Sequence, residues 1–301
     1  MSWKIVAYAP KKVVQAALVA HEEAWDWDMD IGLSGHEIAE DRPQDWVLEA
    51  WLEHEPTEAD KQAFLALFAG EPPELETEQL PEIDWLTESQ KGVKPITAGK
   101  FYIHTPDHPE SADKSLTNFV IPASQAFGTG QHETTSGCLS MLTEMKRRGV
   151  KARNIADIGT GTGLLAFAAL DLWPRAVATA SDIDTVCTQV VEENARQNGI
   201  PMGAKRGEVT MLTADGMDDP LLQARAPYDL LIANILAGPL IDLAPDFAEA
   251  VPSGGHVLLA GLLESQEKKV RAAYMRAGLR LAARKVNGNW SILWLRRRPG
   301  I

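Results

Sequence analysis

Apolar and polar positions in the first 80 residues switch between two periods. "WKIVAYA" (3–9) alternates with period two, as a half-buried strand does. "KKVVQAALVAHEEAW" (11–25) places apolar residues three and four apart, as a helix does. Alternation returns in "WDMDIGLS" (27–34) and "DWVLEAWLE" (45–53). "TEADKQAFLALFAG" (57–70) opens on Thr57 and closes on Gly70, like a capped helix, and "ELETEQL" (74–80) supplies a last strand. The order β-α-β-β-α-β predicts a small α+β, ferredoxin-like domain over residues 1–80.

Residues 81–100 have few apolar runs and several turn residues, and they read as an interdomain linker. "FYIHTP" (101–106) resumes strand character. Beyond it, helices at 133–148, 163–172, 184–198, 239–250 and 264–277 alternate with strands at 153–158, 177–182, 208–213, 228–233 and 255–260. A strand pair near 280–296 closes the series. This alternation predicts a doubly wound, Rossmann-like α/β domain over residues 101–301.

Charge sharpens the division. The chain carries −13, and residues 1–80 hold 18 Asp and Glu against five Lys and Arg, which is the whole excess. Residues 81–301 balance at 24 of each sign. An acidic first domain steers basic partners toward the chain and disfavours direct grip on a nucleic-acid backbone. No run of about 18 apolar residues is present to cross a membrane, and the N-terminus lacks the apolar core and cleavage site of a secretory signal. Two distant cysteines, Cys138 and Cys187, give neither a disulfide framework nor a metal set and fit a reducing cytoplasm.

Three stretches carry candidate chemistry. "NIADIGTGTGLLAFAAL" is strand, glycine turn, helix, with Gly159, Gly161 and Gly163 where a ligand approaches the backbone closely. Asp182, at the end of the next strand, stands where a carboxylate accepts hydrogen bonds from a ribose. A dinucleotide loop wants a small residue three positions after Gly161, and Leu164 is bulky there. The spacing suits an adenosine cofactor without a pyrophosphate. "YDLLIAN" ends a central strand at Asn234, with a helix expected from Pro239. An amide oxygen at that place can accept an amine N–H and aim the nitrogen lone pair.

The motifs "AFGTGQHETT", "DIGTGTGLLAFAA", "SDIDTVCTQVVEENARQNGI" and "YDLLIANILAGPLIDLAP" together resemble the bacterial methyltransferases that modify large-subunit ribosomal protein eleven. The likeness covers residues 83–301. It implies a class I methyltransferase that uses S-adenosyl-L-methionine, with lysine ε-amines and the N-terminal α-amine of a basic ribosomal protein as substrates. It also implies roles. Asn234 would be catalytic, beside the transferred methyl. The loop containing Phe127, Gly128 and Thr129 would cover the cofactor, Thr135 would lie near its methionine end, Gly159 and Gly161 beneath it, and Asp182 on its ribose. His132 and Leu236 are substrate-side candidates. A monomer is expected, with no metal, no membrane contact and no stable nucleic-acid partner. A methylsulfonium needs positioning rather than a strong base, so no dedicated base is expected.

Competing readings are testable in the residues. A nucleic-acid base methyltransferase would stack its base on an aromatic three positions after Asn234, where this chain has Ala237. A nicotinamide-dependent oxidoreductase is disfavoured by Leu164 and by the lack of a hydride-site His/Lys pair. A silent cofactor-binding adaptor fits poorly with Asp182 and Asn234 both present.

Overall fold

The computed structural model describes residues 3–23, 27, 31–38, 42, 44–70, 72–79, 94–122 and 133–298. The chain divides into two compact units, Met1–Glu88 and Ser89–Ile301. Most of the proposed linker, residues 80–93, and the segment 123–132 lie outside the described residues.

In the first unit, β1 (Trp3–Pro10), α1 (Lys11–Glu23), β2 (Gly32–Glu37), β3 (Asp45–Leu52), α2 (Glu58–Ala66) and β4 (Leu75–Gln79) follow the order read from the sequence. The four strands form one antiparallel sheet in the order β2-β3-β1-β4. Ile5, Ala7, Val14, Ala17, Leu48, Ala50 and Phe64 bury a common core. Thr57 caps α2 reciprocally: its hydroxyl accepts the Asp60 N–H, and Asp60 accepts the Thr57 N–H at 2.7 Å. The helix stops at Ala66, before Gly70. The second strand also lies later than expected, at 32–37 instead of 27–34. Trp27 Nε1 donates to the Ile31 carbonyl, which closes a local turn, and pairing with β3 begins only at Gly32.

The second unit opens with a three-stranded sheet of β5 (Ile96–Ala98), β6 (Phe101–His104) and β7 (Thr117–Val120). Only β6 was legible beforehand, because strands of three or four residues are too short to show a period. Then come α3 (Glu133–Arg147), β8 (Asn154–Ile158), α4 (Leu164–Leu172), β9 (Val177–Asp182), α5 (Val186–Gln197), β10 (Val209–Thr213), α6 (Pro220–Arg225) and β11 (Leu230–Asn234). The unit closes with α7 (Ala237–Asp242), α8 (Ala244–Glu249), β12 (His256–Leu263), α9 (Glu264–Arg276), β13 (Leu279–Asn287) and β14 (Trp290–Arg297). The helix expected at 239–250 is two helices and starts at Ala237. Pro245 has no N–H for the Ile241 carbonyl, so the helix restarts at Leu243.

Seven strands pair in the order β10-β9-β8-β11-β12-β14-β13. The first five are mutually parallel, and β14 runs antiparallel to both β12 and β13. Successive residues of β11 feed opposite faces, Leu230 and Ile232 into one core, Leu231 and Ala233 into the other. Both faces are covered, which is why the strand reads as an unbroken apolar run. Strand order reverses between β8 and β11, so the carboxyl ends of those strands bracket a topological switch point, where open α/β sheets hold their ligands.

Candidate functional site

A cleft of about 630 Å³ opens at that switch point. Gly159, Gly161 and Gly163 follow β8 with φ of +70°, +56° and +83°. At Gly159 a side chain would be strained and would collide with the Ile235 side chain from the neighbouring β11. The loop is held from both ends. Gly159 and Thr160 donate their N–H groups to the Ser181 carbonyl at 2.8 and 2.9 Å, and Gly161 N–H donates to Asp182 Oδ2 at 2.8 Å. The second Asp182 oxygen accepts from Asp184 N–H at 3.1 Å. Asp182 is thus fixed at the rim by two backbone donors and touched by the Cys187 thiol, and its two oxygens retain capacity to accept from a ligand in the cleft it lines.

Beneath the loop, Asp157 is buried in β8. It accepts from the Thr160 hydroxyl at 2.6 Å and from Ala166 N–H at 3.1 Å. Burial pushes its carboxyl up to about 7, against the pull of those two donors, and the Asp182 charge adds to the rise.

Asn234 ends β11, only 9% exposed, paired with Ala260 of β12. It does not stop the strand before itself; it is the strand's last residue. Its Nδ2 donates to the Thr135 hydroxyl at 3.2 Å, tying β11 to the first turn of α3. Its Oδ1 is buried and has no protein partner among the described residues. Buried carbonyl oxygens are rarely left so, and this one belongs to a residue that lines the cleft. Beyond it, Ile235 and Leu236 pass along the cleft, and Gly261 lies against the Ile235 backbone.

Gly159, Gly161, Asp182, Asn234 and Leu236 therefore line one cleft, and Thr135 joins Asn234, Gly159 and Thr160 in a smaller cavity beside it. Phe127, Gly128, Thr129 and His132 fall outside the described residues. The cleft adds residues that the sequence reading passed over. Asp215 lies two residues past β10, at the same sheet edge where Asp182 ends β9, a positional echo that was available. Gly261 interrupts an apolar strand run, a standard sign of close backbone approach. Trp290 begins β14, and its cross-strand partner Asn287, the last residue of β13, donates to the Glu133 carbonyl and the Ser136 hydroxyl, both at 2.9 Å. No local signal connects residue 290 to a site formed around 159 and 234.

The lining has a sign and a texture. It contains Asp182, Asp184 and Asp215 and, among the described residues, no Lys or Arg. Such a field suits a cation better than a pyrophosphate, which counts against the dinucleotide reading. Ile183 and Leu236, 67% and 72% exposed, stand at the rim as apolar surface left uncovered by the described residues. A cationic, partly apolar nucleoside fits both features.

Comparison with known proteins decides the family. The family model described as "Ribosomal protein L11 methyltransferase (PrmA)" matches residues 16–298.

The chain belongs to the ribosomal protein L11 methyltransferase family.

Curated members agree over most of their length. The Agrobacterium fabrum ribosomal protein L11 methyltransferase is 37% identical over 270 residues, 89% of this chain and 90% of that protein. The Brucella suis protein of the same description is 40% identical over 205 residues, 68% of this chain and 70% of that one. Among solved structures, the ribosomal protein L11 methylase of Lactobacillus delbrueckii subsp. bulgaricus superposes with a TM-score of 0.58 at 26% identity, covering 68% of this chain and 99% of that one. The large unit is a class I methyltransferase fold, as the L11 methyltransferase resemblance implied, and the family's cofactor is S-adenosyl-L-methionine. Among the described residues no helix is long and apolar enough to cross a membrane.

Proposed function

We propose that this protein transfers methyl groups from S-adenosyl-L-methionine to lysine ε-amines and the N-terminal α-amine of ribosomal protein L11. The observation that carries the reading is the buried Oδ1 of Asn234, without a partner among the described residues, at the carboxyl end of the central strand in a cleft lined by carboxylates. The residues fit the cofactor: the glycine loop leaves space, Asp182 keeps acceptor capacity for ribose hydroxyls, and Thr134 and Thr135 stand in the first turn of α3, whose N–H groups favour a carboxylate. When bound, S-adenosyl-L-methionine supplies a methyl group on a cationic sulfur that leaves as a neutral thioether.

The chain's task is then to present a neutral amine in line. A free lysine ammonium has a pKa of about 10.4, so the site must disfavour the charged form. Apolar walls at Leu236 and Trp290 strip water from the entering side chain, and desolvation lowers an amine pKa. Asn234 Oδ1 accepts one N–H of the amine, which fixes the direction of the remaining lone pair. Its Nδ2, held by Thr135, keeps the amide from flipping. Positioning of this kind supplies several kcal/mol of a displacement barrier. No proton acceptor stronger than water is required, because the ammonium can lose its proton before it enters.

The acidic first unit is the natural recognition module for a basic ribosomal protein, through complementary charge. Incubating the protein with isotope-labelled S-adenosyl-L-methionine and ribosomal proteins from cells lacking it should label a single L11 band, and mass spectrometry should place the methyl groups on amines. Label on RNA or on a small molecule instead would refute the reading.

A further inference from the structure

Residues 264–301 contain ten Lys and Arg against two Glu, a net +8, so residues 1–263 carry −21 of the chain's −13. Seven of the ten cations stand on α9 and β13, and Arg296, Arg297 and Arg298 lie at the end of β14. α9 packs on β13, and β13 is the outer strand of the seven-stranded sheet. A groove of about 590 Å³ between them is lined by Lys268, Arg271, Arg280 and Arg284, with the exposed Met275 and Leu281. It shares no residue with the methyl-transfer cleft.

The arginines are braced. Glu267, 6% exposed, accepts from Arg284 Nε at 2.6 Å, Arg271 Nη1 at 3.1 Å and the Ser291 hydroxyl at 2.7 Å. Arg280 is pinned by the Met275 and Leu279 carbonyls at 2.7 and 2.9 Å. Each guanidinium still has N–H groups to give. Beside them Lys268, Lys269 and Arg276 of α9 are exposed and make no ion pair among the described residues, while Lys285, one residue past Arg284 on β13, points to the opposite face of the sheet. Positive residues on an edge strand can serve only to block sheet-to-sheet association. That accounts for Arg280, Arg284 and Lys285, but not for the four cations on α9. A membrane surface would call for exposed aromatic anchors, and the groove lining has none.

We infer that the α9–β13 face is a docking surface for an RNA phosphate backbone, which would hold the enzyme against the ribosomal RNA around its protein substrate. The choice of RNA among polyanions rests on the ribosomal substrate proposed above; the binding itself does not. The test uses the full-length protein with neither methyl donor nor protein substrate. Fluorescence anisotropy of a labelled RNA hairpin is followed between about 50 and 200 mM salt. Four engaged cations predict a slope of log affinity against log salt of about −3 to −4. The threefold variant K268Q/K269Q/R276Q leaves the Glu267 network intact. It should bind at least tenfold more weakly with a slope of about −1, yet methylate isolated L11 as the unaltered protein does. If that variant does not fold, K268Q/K269Q should halve the slope. Lys268→Arg with Lys269→Arg should preserve binding. No RNA binding at the lowest salt, an unchanged slope in the glutamine variants, or binding to anionic vesicles in place of RNA would overturn the inference.

Discussion

Gly261 offers a sharp test of how the sheet positions the site. It sits at φ +85°, where β12 slips register against β14 between Leu259 and Leu262. A methyl group added there would strike the Ile235 carbonyl oxygen and come within 2.7 Å of its carbon and 3.0 Å of its nitrogen. All of these are backbone atoms, so no side chain can swing aside. The left-handed conformation costs an alanine about 1–2 kcal/mol, and overpacking adds about 1–3 kcal/mol. Gly261→Ala should therefore destabilise the large unit by about 2–5 kcal/mol, lowering Tm by roughly 5–15 °C. The strain falls on Asn234–Leu236, so methyl transfer should drop about a hundredfold, as displacements near 1 Å do. The control is Gly238→Ala, in the same neighbourhood. No atom of the described residues lies within 4 Å of a methyl there, and the helix should gain up to about 1 kcal/mol. Thermal unfolding paired with labelled methyl transfer reads both. A Gly261→Ala protein with unaltered Tm and turnover would show that contact between β12 and the Asn234 segment does not hold the site.

Other expectations concern pH and buried charge. Asp157 has a folded-state pKa raised to about 7 from 3.8, so the stability tied to its protonation is complete below about 4 and lost as pH rises through 7. Asp157→Asn should match the unaltered protein best in acid and gain on it above pH 7 in denaturant titrations; a pH-independent difference would be contrary. His256 behaves oppositely. Burial, then Arg296, holds its imidazole down to about 4 despite Asp229, and its Nδ1 accepts from Trp294 Nε1 at 3.0 Å. Its contribution is present above about pH 6.5 and lost as pH falls toward 4. His256→Gln should flatten that acid-side loss, and an identical pH profile would contradict the assignment.

Much of this was legible in the residues, for identifiable reasons. β8, β9, β11 and β12 are buried on both faces and announce themselves as apolar runs, and glycine punctuation fixes where β8 turns into α4. Gly159, Gly161, Asp182 and Asn234 could be placed together because each ends or closely follows a strand on the same side of the sheet. The missing parts depended on distance in sequence. The short strands β5 and β7 show no period. α6 is a single short turn series begun by Asp219, which accepts from Leu221 and Leu222 N–H, and by Pro220. Trp290 and Glu267 acquire meaning only after β13 and β14 fold back against the sheet. The charge count hid the basic flank as well, since residues 81–263 carry a compensating −8 that made the second domain look neutral.

The account stands or falls with the carboxamide at the end of β11. Single-turnover methyl transfer and cofactor affinity by calorimetry, measured together on Asn234→Ala, separate orientation from binding. The loss of one acceptor aimed at the amine, about 2–4 kcal/mol, predicts a fall of about a hundredfold or more in the methyl-transfer rate with cofactor affinity changed only a few-fold. An alanine variant that transfers methyl groups at the original rate would contradict it.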